Sequence, residues 1–231
     1  MPYDDLKMNL EKIREIFVRA DNTLQTAKFG LEDLLDSSPP RRMSGLRNLI
    51  VFGRSVTLVL QNLRSAAPEG EFDKWYEPYQ EAMKADPLMR YFVEARNVIL
   101  KQGRLNVMSN SYFHSFSSSD LDKLGRRPAG ATGFFVGDTL GGSGWRVPLP
   151  DGTVEKYYVT LPASVAEVKQ QFFDLPAALD PELRGATVEE LSRRYIGKLD
   201  VLVQEAKRHF LGGAATTVAK NKSVPYLRRI K

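Results

Sequence analysis

The stretch DDLKMNLEKIREIFVRADNTLQTAKFGLEDLLD, residues 4–36, decides the fold class. Leu6, Leu10, Ile13, Phe17, Ala20, Leu24, Ala27, Leu31 and Leu34 are spaced alternately by four and three residues. That spacing puts them in one stripe along a helix of about 30 residues, as in bundles and coiled coils. Asp4 or Asp5 is placed to cap its start. The segment from Asp36 through two serines to Pro39 and Pro40 ends it, because proline lacks the N–H that a helix interior needs. Gly30 interrupts the stripe and marks a bend or a close helix contact.

Working outward, the spacing predicts a second, more apolar helix over about 42–65. Its polar residues recur in pairs every seven positions, at Arg47/Asn48, Arg54/Ser55 and Gln61/Asn62, as one narrow wet stripe on a mostly buried helix. A short amphipathic helix near 70–84 carries Trp75, Tyr76 and Tyr79. A fourth begins at DPLMRYF, with Asp86 as N-cap and Pro87 in the first turn, and Gly103 stops it. From Arg104 the chain breaks into short aromatic and β-branched runs punctuated by Gly, Ser and Pro, which read as strands. LPDGT, residues 149–153, is a reversal between two of them. The glycine-rich VGDTLGGSGW, 136–145, precedes a strand-like run instead of a helix, so it reads as a hairpin loop and not a phosphate cradle. A short helix is expected around 164–174. A long helix then starts at a Thr187/Glu190 capping box, with Val188, Leu191, Tyr195, Leu199, Leu202 and Ala206 on one face, and ends at Gly212–Gly213.

The expected organisation is a mainly α bundle with a small antiparallel β insertion, α+β overall. Residues 1–103 form its first part, 104–162 the insertion, 163–211 the closing helices, and 212–231 a basic, disordered tail. The body is electrically balanced: residues 1–103 hold 15 Lys/Arg against 15 Asp/Glu, and 104–211 hold 13 against 13. The net +5 therefore comes from Lys220, Lys222, Arg228, Arg229 and Lys231, which are the candidate nucleic-acid contacts. The lack of cysteine excludes disulfides and thiolate chemistry, and two histidines, His114 and His209, make no metal site without several carboxylates. No metal or cofactor is expected. With no long uncharged apolar run and no signal-type N-terminus, the expected location is cytoplasmic, away from the membrane.

One constellation stands apart. At 100° per residue, Arg90, Glu94, Asn97 and Lys101 share an arc of about 60° on the fourth helix, while Arg96 projects among Met89, Phe92 and Leu100. A guanidinium there either reaches water along its stem or finds a carboxylate, so Arg96 is either a structural ion pair, with an acid of the first helix as the expected partner, or a functional arginine in a cleft. RNLIVFGR (47–54) echoes RNVILKQGR (96–104), as if two helices used Arg-Asn alike, to bind one another or a shared acid.

Several helices, with Arg-Asn late in a central one and a basic residue after it, resemble the HEPN superfamily (higher-eukaryote and prokaryote nucleotide-binding domains). Its ribonucleases carry Arg, four to six residues, then His, often with a polar residue after the Arg. Arg96 matches the Arg and Asn97 its polar neighbour, and Lys101 falls where the His would stand. The resemblance covers about 1–103 plus the last helix. It implies metal-independent RNA cleavage in catalytic members, but lysine is protonated near neutral pH and holds a phosphate without serving as a base. The departure points to a non-catalytic or divergent binding and assembly module, a homodimer with an RNA or protein partner. One alternative is a metal-independent endoribonuclease of toxin or defence type using Arg96, Asn97 and Lys101. The other is a nucleic-acid-binding protein that uses the basic tail. His114, between two Phe residues, reads as packing.

Overall fold

The computed structural model describes residues 3–36, 38–114, 120 and 123–212, with side chains in the first helix from Asn9 onward. Helix α1 (Tyr3–Leu35) is antiparallel to α2 (Pro39–Leu60), whose last turn tightens into a 3₁₀ turn at Gln61–Ser65. Helices α3 (Glu71–Ala85) and α4 (Pro87–Gln102) follow, then strands β1 (Val107–Phe113), β2 (Gly133–Phe135), β3 (Ser143–Pro148), β4 (Val154–Val159) and β5 (Ala166–Phe172). A short α5 (Pro181–Arg184) and the long α6 (Val188–Leu211) close the order. The fold is mainly α with a small antiparallel β component.

The stripe that opens the chain does what its period requires. Ile13, Phe17, Ala20, Leu24, Ala27 and Leu34 are buried, joined by Ile16, and Leu31 packs against the same core. Leu10 is exposed. The helix begins at Tyr3, so neither Asp4 nor Asp5 is its N-cap. Gly30 marks a close contact. A methyl added there would lie 2.6 Å from the Leu49 amide nitrogen and 2.7 Å from the Gly45 carbonyl oxygen. Gly45 answers it: a methyl there would meet the Gly30 carbonyl oxygen at 2.6 Å. Two glycines thus let the α1 and α2 backbones touch.

Prolines 39 and 40 end one helix and begin the next, since the first turn of α2 has no use for their missing N–H groups. Asp86 caps α4 by accepting from the Leu88 and Met89 amides, and Gly103 ends it in the left-handed conformation (φ 66°). Thr187 and Glu190 form the capping box of α6, and the six residues expected on its buried face are all buried. Ion pairs Lys28–Asp200 and Lys207–Asp21 tie α1 to α6, and Arg42–Glu189 ties α2 to α6.

The segment expected as a helix near 164–174 is instead β5. AEVKQQF alternates: Ala166, Gln170 and Phe172 are buried and Glu167 is exposed. That is the period of a strand. β5 pairs antiparallel with β1, Val107 opposite Phe172 and Phe113 opposite Ala166. The β region therefore runs to 172, beyond the boundary drawn at 162. Phe172 meets the edges of Tyr91 and Phe92, which docks this ribbon on α4. β2, β3 and β4 form a separate antiparallel sheet over a small core of Leu124, Ala131 and Trp145. LPDGT makes the β3–β4 turn, with Asp151 accepting from the Thr153 amide and Gly152 at φ 85°. The glycine-rich run is the β2–β3 loop. Asp138 organises it by accepting from the Leu140 and Gly142 amides, Lys156 and the Tyr158 hydroxyl.

Candidate functional site

The residues singled out in the sequence lie along α4, most of them on its last two turns. Arg90, Glu94 and Lys101 are exposed and Asn97 is half-buried, which is the wet stripe expected. Arg96 is half-buried; its guanidinium donates to the Asn97 side-chain oxygen at 3.2 Å, and its buried Nε has no hydrogen-bond partner. The carboxylate expected opposite it is not there: among the described residues Arg96 forms no ion pair. The reason is topological. Helix α1 packs on α2 and α6, and its Asp21 and Asp33 are taken by Lys207 and Arg41. Lys101 lies five positions beyond Arg96, which turns them about 140° apart around the helix, so their cationic groups do not converge.

The histidines lie elsewhere. His114, expected to pack, is exposed at the end of β1, where its amide donates to the Val165 carbonyl. His209, near the end of α6, stacks on Trp75 and faces the Glu71 carboxylate at 3.2 Å. The five tail cations, Lys220, Lys222, Arg228, Arg229 and Lys231, lie outside the described residues. Among the described residues no group of three or more His, Asp or Glu is placed to hold a metal ion.

What α2 does with its heptad-spaced polar residues was not evident from the sequence. Arg47, Arg54 and Gln61 fall seven apart on one side of the helix, the side that meets α4. Arg47 donates to the Gly103 carbonyl at 2.8 Å, closing the end of α4. The Arg-Asn echo thus has a partial physical basis, since an arginine of one helix binds the terminus of the other. Arg54 and Gln61 line a cavity of about 340 Å³ enclosed by α2, α3, α4 and α6.

This cavity combines charged, hydroxyl and apolar lining. Arg54 donates to the Thr57 hydroxyl, which in turn donates to the Arg54 carbonyl at 3.0 Å. Tyr76 and Tyr195 bring phenols from α3 and α6, and Met83, Met89, Val93 and Leu199 supply apolar wall. Arg90 and Glu94 line it from α4. Tyr195 stacks on Phe92, centroids 4.1 Å apart and 6° from parallel. Gly53 gives its ring room, since a methyl there would lie 2.5 Å from the Tyr195 Cε1. Burial pushes the Tyr195 and Tyr76 phenols up, against the opposing charge of Arg54, so both stay protonated. The site has cations and hydroxyl donors but no histidine and no serine or cysteine nucleophile.

The family model described as "Bacteriophage lambda protein ea47" matches residues 38–120, a stretch from the start of α2 past the end of β1 that includes Arg54, Tyr76 and Arg96. No curated protein and no solved structure matches the chain.

Proposed function

We propose that this chain is a non-catalytic, HEPN-like binding and assembly module that works as a homodimer. The observation that carries the non-catalytic reading is the state of Arg96. Its guanidinium is turned onto Asn97, and Lys101, exposed on another side of α4, adds a cation but no proton acceptor. Support for assembly comes from the outer face of the bundle. Val18 and Phe29 stand eleven residues apart, about 20° in projection, and are 59% and 53% exposed. Apolar side chains of that size at an outer face are what an isologous contact would cover.

Light scattering at micromolar concentration tests the assembly reading. The expected mass is twice the 26.0 kDa of one chain, returning to one chain in the Phe29→Glu variant. A monomer across a dilution series rejects it. Incubation with single-stranded RNA in chelator tests the rest: cleavage by the native chain that is lost in both Arg96→Ala and Lys101→Ala would establish an endoribonuclease instead.

A further inference from the structure

We propose that the cavity between α2, α3, α4 and α6 is a binding site for a small amphiphilic carboxylate, a monoanion carried on an aromatic or aliphatic body. This goes beyond the assembly reading and does not depend on it.

The argument begins with Arg54. It stands in the middle of a largely buried helix, is half-buried itself, and forms no ion pair among the described residues. Its bond to Thr57, a side chain only 2% exposed, fixes the direction of the guanidinium but leaves its charge uncompensated. A partly desolvated cation without a counter-ion is unfavourable, and an arriving carboxylate relieves this while accepting two parallel N–H groups. Tyr76 and Tyr195, 4% and 1% exposed, add protonated phenols to the same wall. Among the described residues Arg54 donates only to the Thr57 hydroxyl. Its heptad mates Arg47 and Gln61 have a partner carbonyl apiece, at Gly103 and Thr57 respectively.

Size and charge narrow the ligand. A volume of about 340 Å³ lies at the low end of small-molecule pockets and accepts one small molecule, not a polymer segment. The apolar side chains of Met83, Met89, Val93 and Leu199 suit a hydrocarbon body. Lys84, Arg90 and Glu94 share the lining with Arg54, three cations against one carboxylate, so the site favours an anion. The guanidinium fork of Arg54 beside two phenols matches the paired oxygens of a carboxylate.

Calorimetry on the full chain with three matched probes, phenylacetate, phenylacetamide and phenyl phosphate, tests the assignment. Phenylacetate is expected to bind saturably, and more tightly than the phosphate, with the amide at least about tenfold weaker, as for loss of a charge-assisted bond. Arg54→Gln should abolish the preference for acid over amide, and Met83→Trp should block all three by filling the space. Melting temperatures of both variants establish that they are folded; if Arg54→Gln is not, Met83→Trp and the native probe series decide. Equal affinity for acid and amide overturns the proposal. So does tighter binding of the phosphate, no binding of phenylacetate at millimolar concentration, or an unchanged preference in folded Arg54→Gln.

Discussion

Replacing Gly30 by alanine opposes two effects whose balance the structure fixes. Alanine is the better helix former by about 1 kcal/mol, so on propensity alone the variant gains stability. Its methyl, however, would sit 2.6 Å from the Leu49 amide nitrogen and 2.7 Å from the Gly45 carbonyl, both backbone atoms that no rotamer change can move. Ordinary contact begins at 3.4 Å, so α1 and α2 must part locally by the difference, close to 0.8 Å. A gap of that size forfeits roughly a quarter to a half of each dispersion contact across it. The side chains that lose most are Leu34, Leu46 and Leu49, all fully buried at this crossing. A loss near the top of the range for overpacking, about 3 kcal/mol, less the propensity gain of about 1, leaves a net destabilisation of about 2 kcal/mol. For a chain of this size that lowers the melting temperature by about 4–8 °C. Gly197 supplies the internal control. It lies mid-helix in α6 with nothing within 4 Å of an added methyl, so Gly197→Ala should raise the melting temperature by about 2–4 °C. Calorimetric scans of the two variants beside the native chain decide the matter. If Gly30→Ala stabilises as Gly197→Ala does, the close crossing of α1 and α2 is wrong.

Arg96→Met should change stability by no more than about 1 kcal/mol in urea titrations, because no carboxylate is stranded, and Lys101→Ala by less than about 0.5 kcal/mol; a loss of about 3–5 kcal/mol in Arg96→Met would reveal a buried acid partner. Burial opposes ionisation of Asp138, but the bonds from Lys156, Tyr158 and the Gly142 and Leu140 amides outweigh it and hold this carboxyl below its ordinary value. Its contribution is therefore complete above the unfolded value of about 4 and is lost as pH falls through the folded one, so Asp138→Asn should be less stable at pH 7 and flatten the acid limb of the stability curve. An unchanged acid limb would remove Asp138 from that role. The same carboxylate accepts from Tyr158, whose phenol is pushed up to about 12, by burial first and then by Asp138. Deleting residues 213–231 removes five cations; melting should be unaltered, while any RNA affinity should fall and its salt slope flatten by up to five phosphate contacts. An unchanged slope would assign the binding to the folded body.

The helices were legible because each has a period and most have punctuation. The four–three stripe of α1, Asp86 and Gly103 around α4, and the Thr187/Glu190 box of α6 are local signals that tertiary contacts reinforce. β5 was misread because AEVKQQF is short and contains good helix formers, and its alternation only matters when β1 is beside it. Arg96 was correctly seen as out of place, but its supposed partner was sought on α1, which periodicity cannot position relative to α4. The cavity escaped notice for a related reason. The recurrence of Arg47, Arg54 and Gln61 was visible as a wet stripe, yet an inward-facing polar stripe and a solvent-facing one look alike until the neighbouring helices are known. Tyr76 and Tyr195 carry no signal at all, since their spacing is that of ordinary core aromatics.

The pairing of Phe113 with Ala166 has an evolutionary consequence. Residues 114–165 depart from the rest of the chain and rejoin it across one pair of facing strand positions, so they behave as a cassette plugged into a socket. Among the described residues the cassette meets the remainder at points that include Gly142 beside Pro39, Gly141 beside Gln170 and Gly137 beside Ser111, and Leu140 packs on the helical core. Exchanging it for an Asn-Gly turn would convert β1 and β5 into a plain hairpin and shorten the loop that must close before they pair. A lineage could therefore gain, lose or diversify that cassette while Phe172 stays seated on α4 and the helices keep their registry.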